Sequence, residues 1–140
     1  VNNAFSSGIM YGYPAIDIAV SLVDASYNQT TASPIAYEAA AALGFDNACR
    51  KADPVLLEPI MTVDVMTPKE FIGEVIGNLS NRGGIINSLE SKPTIEHLHA
   101  EAPLAAMFGY STALRSITQG RGTFAMEFSH FARKENNSKR

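Results

Sequence analysis

Between residues 13 and 24 the chain alternates. Ile16, Ile18, Val20 and Leu22 fall on one side of an extended backbone, and Asp17, Ala19 and Ser21 on the other. A period of two predicts a half-buried strand. The polar run ASYNQTTAS follows and reads as a loop. Ser33-Pro34 then offers an N-cap and a proline at the first helical position. The alanine-rich stretch 35–52 predicts a helix. Arg50 and Lys51 sit in its last turn, where cations complement the macrodipole, and Asp53-Pro54 ends it.

The second half repeats these signals more regularly. IMTVDVMT predicts a strand with Met61, Val63 and Val65 inward. Thr67-Pro68 predicts a capped helix through residue 82, with Phe71, Ile72, Val75, Ile76 and Leu79 as its apolar stripe and Gly83-Gly84 as its stop. IINSLES and IEHLHAEA predict two strands around a KPT turn, the second with Leu98, Ala100 and Ala102 inward. Pro103 predicts a helix to Gln119 with the stripe Leu104, Met107, Tyr110, Leu114 and Ile117. TFAMEFSHF predicts a last strand with Phe124, Met126 and Phe128 inward. The order from residue 58 to 131 is β-α-β-β-α-β, so the fold class is α+β: a ferredoxin-like domain with two helices on one face of a four-stranded antiparallel sheet. Residues 1–57, one strand, a loop and one helix, cannot close a core and are expected to be part of a larger domain. The break is expected near PVLLEPI, and residues 132–140 read as a disordered basic tail.

Composition narrows the classes. Of 140 residues, 46% are hydrophobic and 18% charged, which predicts a packed core. No apolar run approaches the roughly 20 residues of a membrane span, and the start VNNAFSSG has no signal-peptide pattern. With Cys49 as the one cysteine, a reducing cytoplasmic setting is expected. Net charge is −3, but the last nine residues hold four bases and one acid, leaving seven bases against thirteen acids in the body. That acidic body argues against broad electrostatic nucleic-acid binding and leaves room for local contacts by a few arginines.

Gly120-Arg121-Gly122 resembles a phosphate loop in composition, but the polarity is reversed. The glycines trail a helix, so its negative end faces them, and no Lys-Ser or Lys-Thr pair follows. The glycines are expected to serve the backbone, Gly120 as a left-handed C-cap and Gly122 as relief of crowding at the start of the strand. Arg121 and Arg115 remain candidate side-chain donors to RNA phosphate. RGTFAMEF also fails the aromatic spacing of an RRM strand. His97, His99 and Glu101 share one face of a strand at a spacing that can bind a metal, yet no further ligand is evident, and a polar outer face is the preferred reading. Cys49 reads as a packing residue, and no catalytic set, metal site or cofactor site emerges. The uncharged loop 26–33, with Tyr27 at its tip, suits hydrogen bonding and stacking on nucleic acid or a plain surface loop.

GYPAIDIAVSLVDASY, DPVLLEPIMTVDVMTPKEFIGEVIGNLSNRGG and PLAAMFGYSTALRSITQGRGTFAMEF resemble the C-terminal end of bacterial elongation factor G, from about residue 10 to 131. LEPIM, MFGY, LRS and TQGRG in order are specific. The resemblance implies that residues 1–57 are the second half of domain IV and 58–131 are domain V. It implies a ribosome partner, with rRNA of both subunits and the tRNA–mRNA complex, in translocation. The GTPase, with its GTP and Mg, would lie in another domain of the parent protein, so the fragment is expected to be no enzyme and to hold no cofactor, and no membrane role is implied. Carried over by position, Tyr27, Asn28, Gln29 and Thr30 fall on the domain IV tip, and Arg82, Arg115, Gln119, Gly120 and Arg121 on domain V surfaces expected to meet RNA. Asn28 stands where the family usually has a histidine, Ala25 where it has a glycine, TTASP where it is acidic and serine-rich, and NRGGI where it has paired arginines. Asparagine cannot become a cation. A paralog acting in ribosome recycling is therefore the alternative. A ferredoxin-like module binding a small ligand is the alternative of another class, and a metal-dependent protein using His97 and His99 is a third. Self-association through residues 15–23 is expected if that strand has an open side.

Overall fold

The computed structural model of the chain describes residues 2–9 and 12–134. Its contacts divide into two units, Val1–Leu56 and Leu57–Arg140, each described by itself.

In the first unit, α1 (Asn2–Ser7) was not anticipated by the hydrophobic pattern, and α2 (Pro34–Lys51) was. Ser33 is extended and its hydroxyl accepts the Ala36 N–H at 3.1 Å, with Pro34 in the first turn. Phe5 of α1 meets Phe45 of α2 edge-on, ring centroids 4.9 Å apart. Among the described residues of this unit, Phe45 and Cys49 are its buried hydrophobics. The expected strand over 13–24 does not form: residues 13–24 carry no sheet ladder. Asp17 lies at φ 55°, a left-handed residue in the middle of the alternation, so Ile16 and Ile18 do not continue one extended face. Ile16, Ile18, Val20, Leu22 and Val23 are all exposed.

The second unit is a four-stranded antiparallel sheet in the order β2-β3-β1-β4: β1 (Leu57–Pro68), β2 (Ile85–Ser91), β3 (Ile95–Pro103) and β4 (Thr123–Arg133). With the helical segments after β1 and β3 this is the α+β ferredoxin-like arrangement. Val63 and Val65 of β1 and Leu98, Ala100 and Ala102 of β3 face one way. They pack on Val75 and Leu79 of α3 (Ile72–Asn81), on Met107, and on Tyr110 and Leu114 of α4 (Tyr110–Ile117). Each valine or leucine among them, taken fully out of water, contributes about 1.5–3 kcal/mol. No described helix is long and apolar enough to cross a membrane.

Four features differ from the sequence expectation. Thr67 and Pro68 belong to β1, paired with Glu96 and Ile95, and a 3-10 turn (Lys69–Phe71) precedes α3. The ladder claims Thr67 before the helix begins, so its hydroxyl is buried with no partner among the described residues rather than acting as a cap. The expected helix 103–119 is broken. A 3-10 turn (Leu104–Met107) gives way to extended Phe108 and left-handed Gly109, φ 74°, before α4 starts. Phe128 shares the face of Phe124 and Met126, opposite Met61, yet is exposed; its ring packs on Phe131 beyond the bulge that follows it, centroids 5.0 Å apart. Finally, β4 takes in Ala132 and Arg133, opposite Glu58 and Leu57, two residues expected in the basic tail. Residues 135–140 of that tail lie outside the described residues.

Candidate nucleic-acid interface

The tip loop is built by Asn28. Its side-chain oxygen accepts the Thr30 N–H at 3.0 Å, and its carbonyl accepts the N–H groups of Thr31 (3.3 Å) and Ala32 (2.9 Å). This Asx turn engages the side-chain oxygen of exposed Asn28, whose amide NH2 still has donor capacity. Tyr27 is exposed, as are Asn28, Gln29 and Thr30, so all four expected tip residues present themselves to solvent.

In the second unit the end of α4 shapes the arginine turn. Thr118 is the C-cap, and Gln119 takes the left-handed position after it at φ 52°. Gly120, at φ 79°, returns its N–H to the Arg115 carbonyl at 2.8 Å. The C-terminal capping position expected at Gly120 is thus filled by Gln119, a side chain held where glycine is normally favoured. Thr118 is fully buried. Its hydroxyl donates to the Leu114 carbonyl (2.7 Å) and accepts the Gly122 N–H (2.8 Å). A Cβ on Gly122 would lie 2.8 Å from the Thr118 methyl, so this glycine relieves crowding as the sequence suggested.

Arg121, half exposed, pairs with Glu70 and stacks its guanidinium over Phe71, 4.7 Å from the ring centroid. Neither partner was legible in the sequence, since both lie some fifty positions away at the start of the other helical segment. Arg115 is exposed, and no ion pair holds it among the described residues. Arg82 is used internally. Its Nε donates to Asn78 (3.0 Å) and its Nη1 to the carbonyls of Ala106 (2.5 Å) and Phe108 (3.1 Å), while the guanidinium lies 5.4 Å from the Tyr110 ring centroid. It therefore supplies donors to carbonyls left by the helix break at Gly109. Burial pushes the Tyr110 hydroxyl up to about 12, partly offset by the Arg82 charge. Asn81-Arg82-Gly83-Gly84 ends α3 with the Gly84 N–H on the Leu79 carbonyl (2.9 Å) and the Gly83 N–H on Ser80 (3.0 Å), around left-handed Gly83.

Within the second unit, then, Arg115, Gln119, Gly120 and Arg121 are brought together at one turn, and Arg82 serves the neighbouring helix break. His97 and His99 lie elsewhere, on the sheet face away from the helices, beside Asp64.

The second unit is thus of the ferredoxin-like class, with an arginine-bearing turn, and the first carries an uncharged polar loop. The comparisons narrow the class. The family model for the elongation factor G C-terminus matches residues 55–140, and that for elongation factor G domain IV matches residues 1–53. The chain is 57% identical over 131 residues to elongation factor G 1 of Treponema denticola and 53% identical over 131 residues to elongation factor G of Aquifex pyrophilus. Each alignment covers 94% of this chain and 19% of the relative. A crystal structure of a Thermus thermophilus protein matches with a TM-score of 0.86 at 35% identity, covering 96% of this chain and 20% of that one. The chain belongs to the elongation factor G family, and it spans about a fifth of the length of the relatives it matches.

Proposed function

We propose that this chain is the ribosome-binding C-terminal region of a translational GTPase that promotes tRNA–mRNA translocation during elongation. The observation that carries this reading is the tandem match of the domain IV and C-terminus models along one chain. In this reading residues 1–57 are the second half of domain IV and 58–131 are domain V. The Tyr27–Thr30 tip probes the decoding region of the small subunit, and the turn with Arg115, Gln119, Gly120 and Arg121 meets rRNA of the large subunit, with Arg82 at its flank. GTP and Mg are handled by another domain of a cytoplasmic parent protein, and the chain itself is no enzyme. The exposed aliphatics of residues 15–23 support self-association of the isolated chain.

The test uses the full-length factor. Arg121→Ala is expected to lower ribosome-dependent GTP hydrolysis and translocation about tenfold, the scale of one charge-assisted contact, with the fold intact. Glu70→Gln, which releases the same guanidinium, is expected to keep activity at or above wild type. Equal losses in both variants would assign the pair to local structure and remove Arg121 from the interface. Asn28, whose side-chain oxygen is engaged in its own turn and which carries no charge at any pH, favours recycling as the second reading. Ribosome splitting by the same factor without translocation would select it.

A further inference from the structure

The sheet face away from the helices carries chemistry that the ribosome reading does not use. His97 and His99, two apart on central strand β3, project to this face with ring centroids 4.2 Å apart. Asp64 of the neighbouring central strand β1 stands directly opposite His99 in the register. Its Oδ1 is hydrogen-bonded to His99 Nδ1 and lies 4.0 Å from His97 Nε2. The sequence offered His97, His99 and Glu101 on one strand without a further ligand. Asp64 joins the two histidines through the strand pairing, 35 positions from His99.

We propose that Asp64, His97 and His99 form a binding site for a borderline divalent metal ion of the Zn class. One ligand atom from each residue lies within 4.8 Å of the other two, and all three side chains are half-buried on adjacent central strands. Zn–N bonds of about 2.0–2.1 Å place tetrahedral ligand atoms roughly 3.4 Å apart, so His97 Nε2, 4.0 Å from Asp64 Oδ1, draws in and His99 Nδ1, hydrogen-bonded to that oxygen, moves out, small χ adjustments on a fixed backbone. Two imidazoles and one carboxylate suit Zn²⁺ or Co²⁺ and leave outer positions for water. Glu90 Oε1 lies 3.9 Å from His99 Nε2, placed to accept the other ring N–H as metal-bound histidines require. Glu101, alternating with the histidines on β3, adds negative potential to the same face and is held by the Ser129 hydroxyl at 3.0 Å.

The test titrates Zn²⁺ alone into the chain near neutral pH, by calorimetry and by the imidazole resonances of its three histidines. One Zn²⁺ per chain is expected, with His97 and His99 shifting together and His130, on β4, unmoved. His97→Ala and Asp64→Asn, each checked for an unchanged circular dichroism spectrum, are expected to weaken binding at least about tenfold, since even outer partners of a metal site cost about 10- to 100-fold. No saturable binding by the wild-type chain would overturn the proposal. So would wild-type affinity in both variants, because the ion would then sit elsewhere.

Discussion

Residues 16–22 and residues 61–67 carry the same alternating pattern, and their fates differ. Val63 and Val65 are fully buried between two hydrogen-bonded neighbours, β3 and β4. Ile16, Ile18, Val20 and Leu22 are exposed, and no described strand pairs with them. Alternation declares which side chains could share a face. It does not supply the neighbouring strand that satisfies the backbone, nor the helix that covers the face. The second unit has both; the first, as described, rests on α1 against α2 through Phe5 and Phe45.

The contrast can be broken most directly in the core. Leu79→Ala should cost about 2–5 kcal/mol in urea unfolding, while Leu22→Ala should stay within about 0.5 kcal/mol. Equal losses would mean that the 16–22 segment is buried in solution and would erase the distinction. The next effect is confined to Tyr110. Burial raises its hydroxyl from 10.0 to about 12, so the folded state holds that proton more tightly than the unfolded state. Its contribution is complete below the unfolded value and is lost as pH rises through the folded one, a span of about 2–3 kcal/mol. Tyr110→Phe should remove that alkaline dependence and change neutral stability by less than about 1 kcal/mol, since the hydroxyl finds no partner among the described residues. Chemical unfolding of both proteins across the alkaline range checks it, and parallel curves would refute it. The smallest effects sharpen the comparison through two glycines. Gly44 in α2 faces open space, so Gly44→Ala should stabilise by about 0.5–1 kcal/mol. Gly122→Ala, driven into Thr118, should destabilise by about 1–3 kcal/mol. Thermal melts of the two variants should move in opposite directions.

Most of the ferredoxin-like unit was legible because its signals are local and agree with one another: period-two strands, a period-3.6 stripe in α3, and glycines at the stops. What was not legible depends on partners distant in sequence. Pro103 and the stripe to Ile117 predict one helix, and only the tertiary setting, with Arg82 donating to the Ala106 and Phe108 carbonyls, accommodates the break at Gly109. Phe128 alternates correctly with Met126 and keeps its face, and what the alternation could not show is that this end of β4, beside the bulge, stays exposed with Phe128 against Phe131. At the candidate interface the sequence singled out Arg121 but not Glu70 or Phe71. On the opposite sheet face it singled out His97 and His99 but not Asp64, whose outward aim was readable from its place between Val63 and Val65 and whose nearness to His99 was not.

Thr118 ties the last turn of α4 to Gly122, the residue before β4, because its one buried hydroxyl donates to Leu114 and accepts from Gly122. Its consequence is thermodynamic as much as geometric. The three residues it brackets, Gln119 to Arg121, are already confined in the free chain, so the RNA contact proposed above would cost little backbone freedom. Replacing Thr118 by valine would keep the volume and delete both bonds, turning a rigid knob into a searching loop, and any affinity of the proposed contact would then fall through entropy rather than through a lost contact.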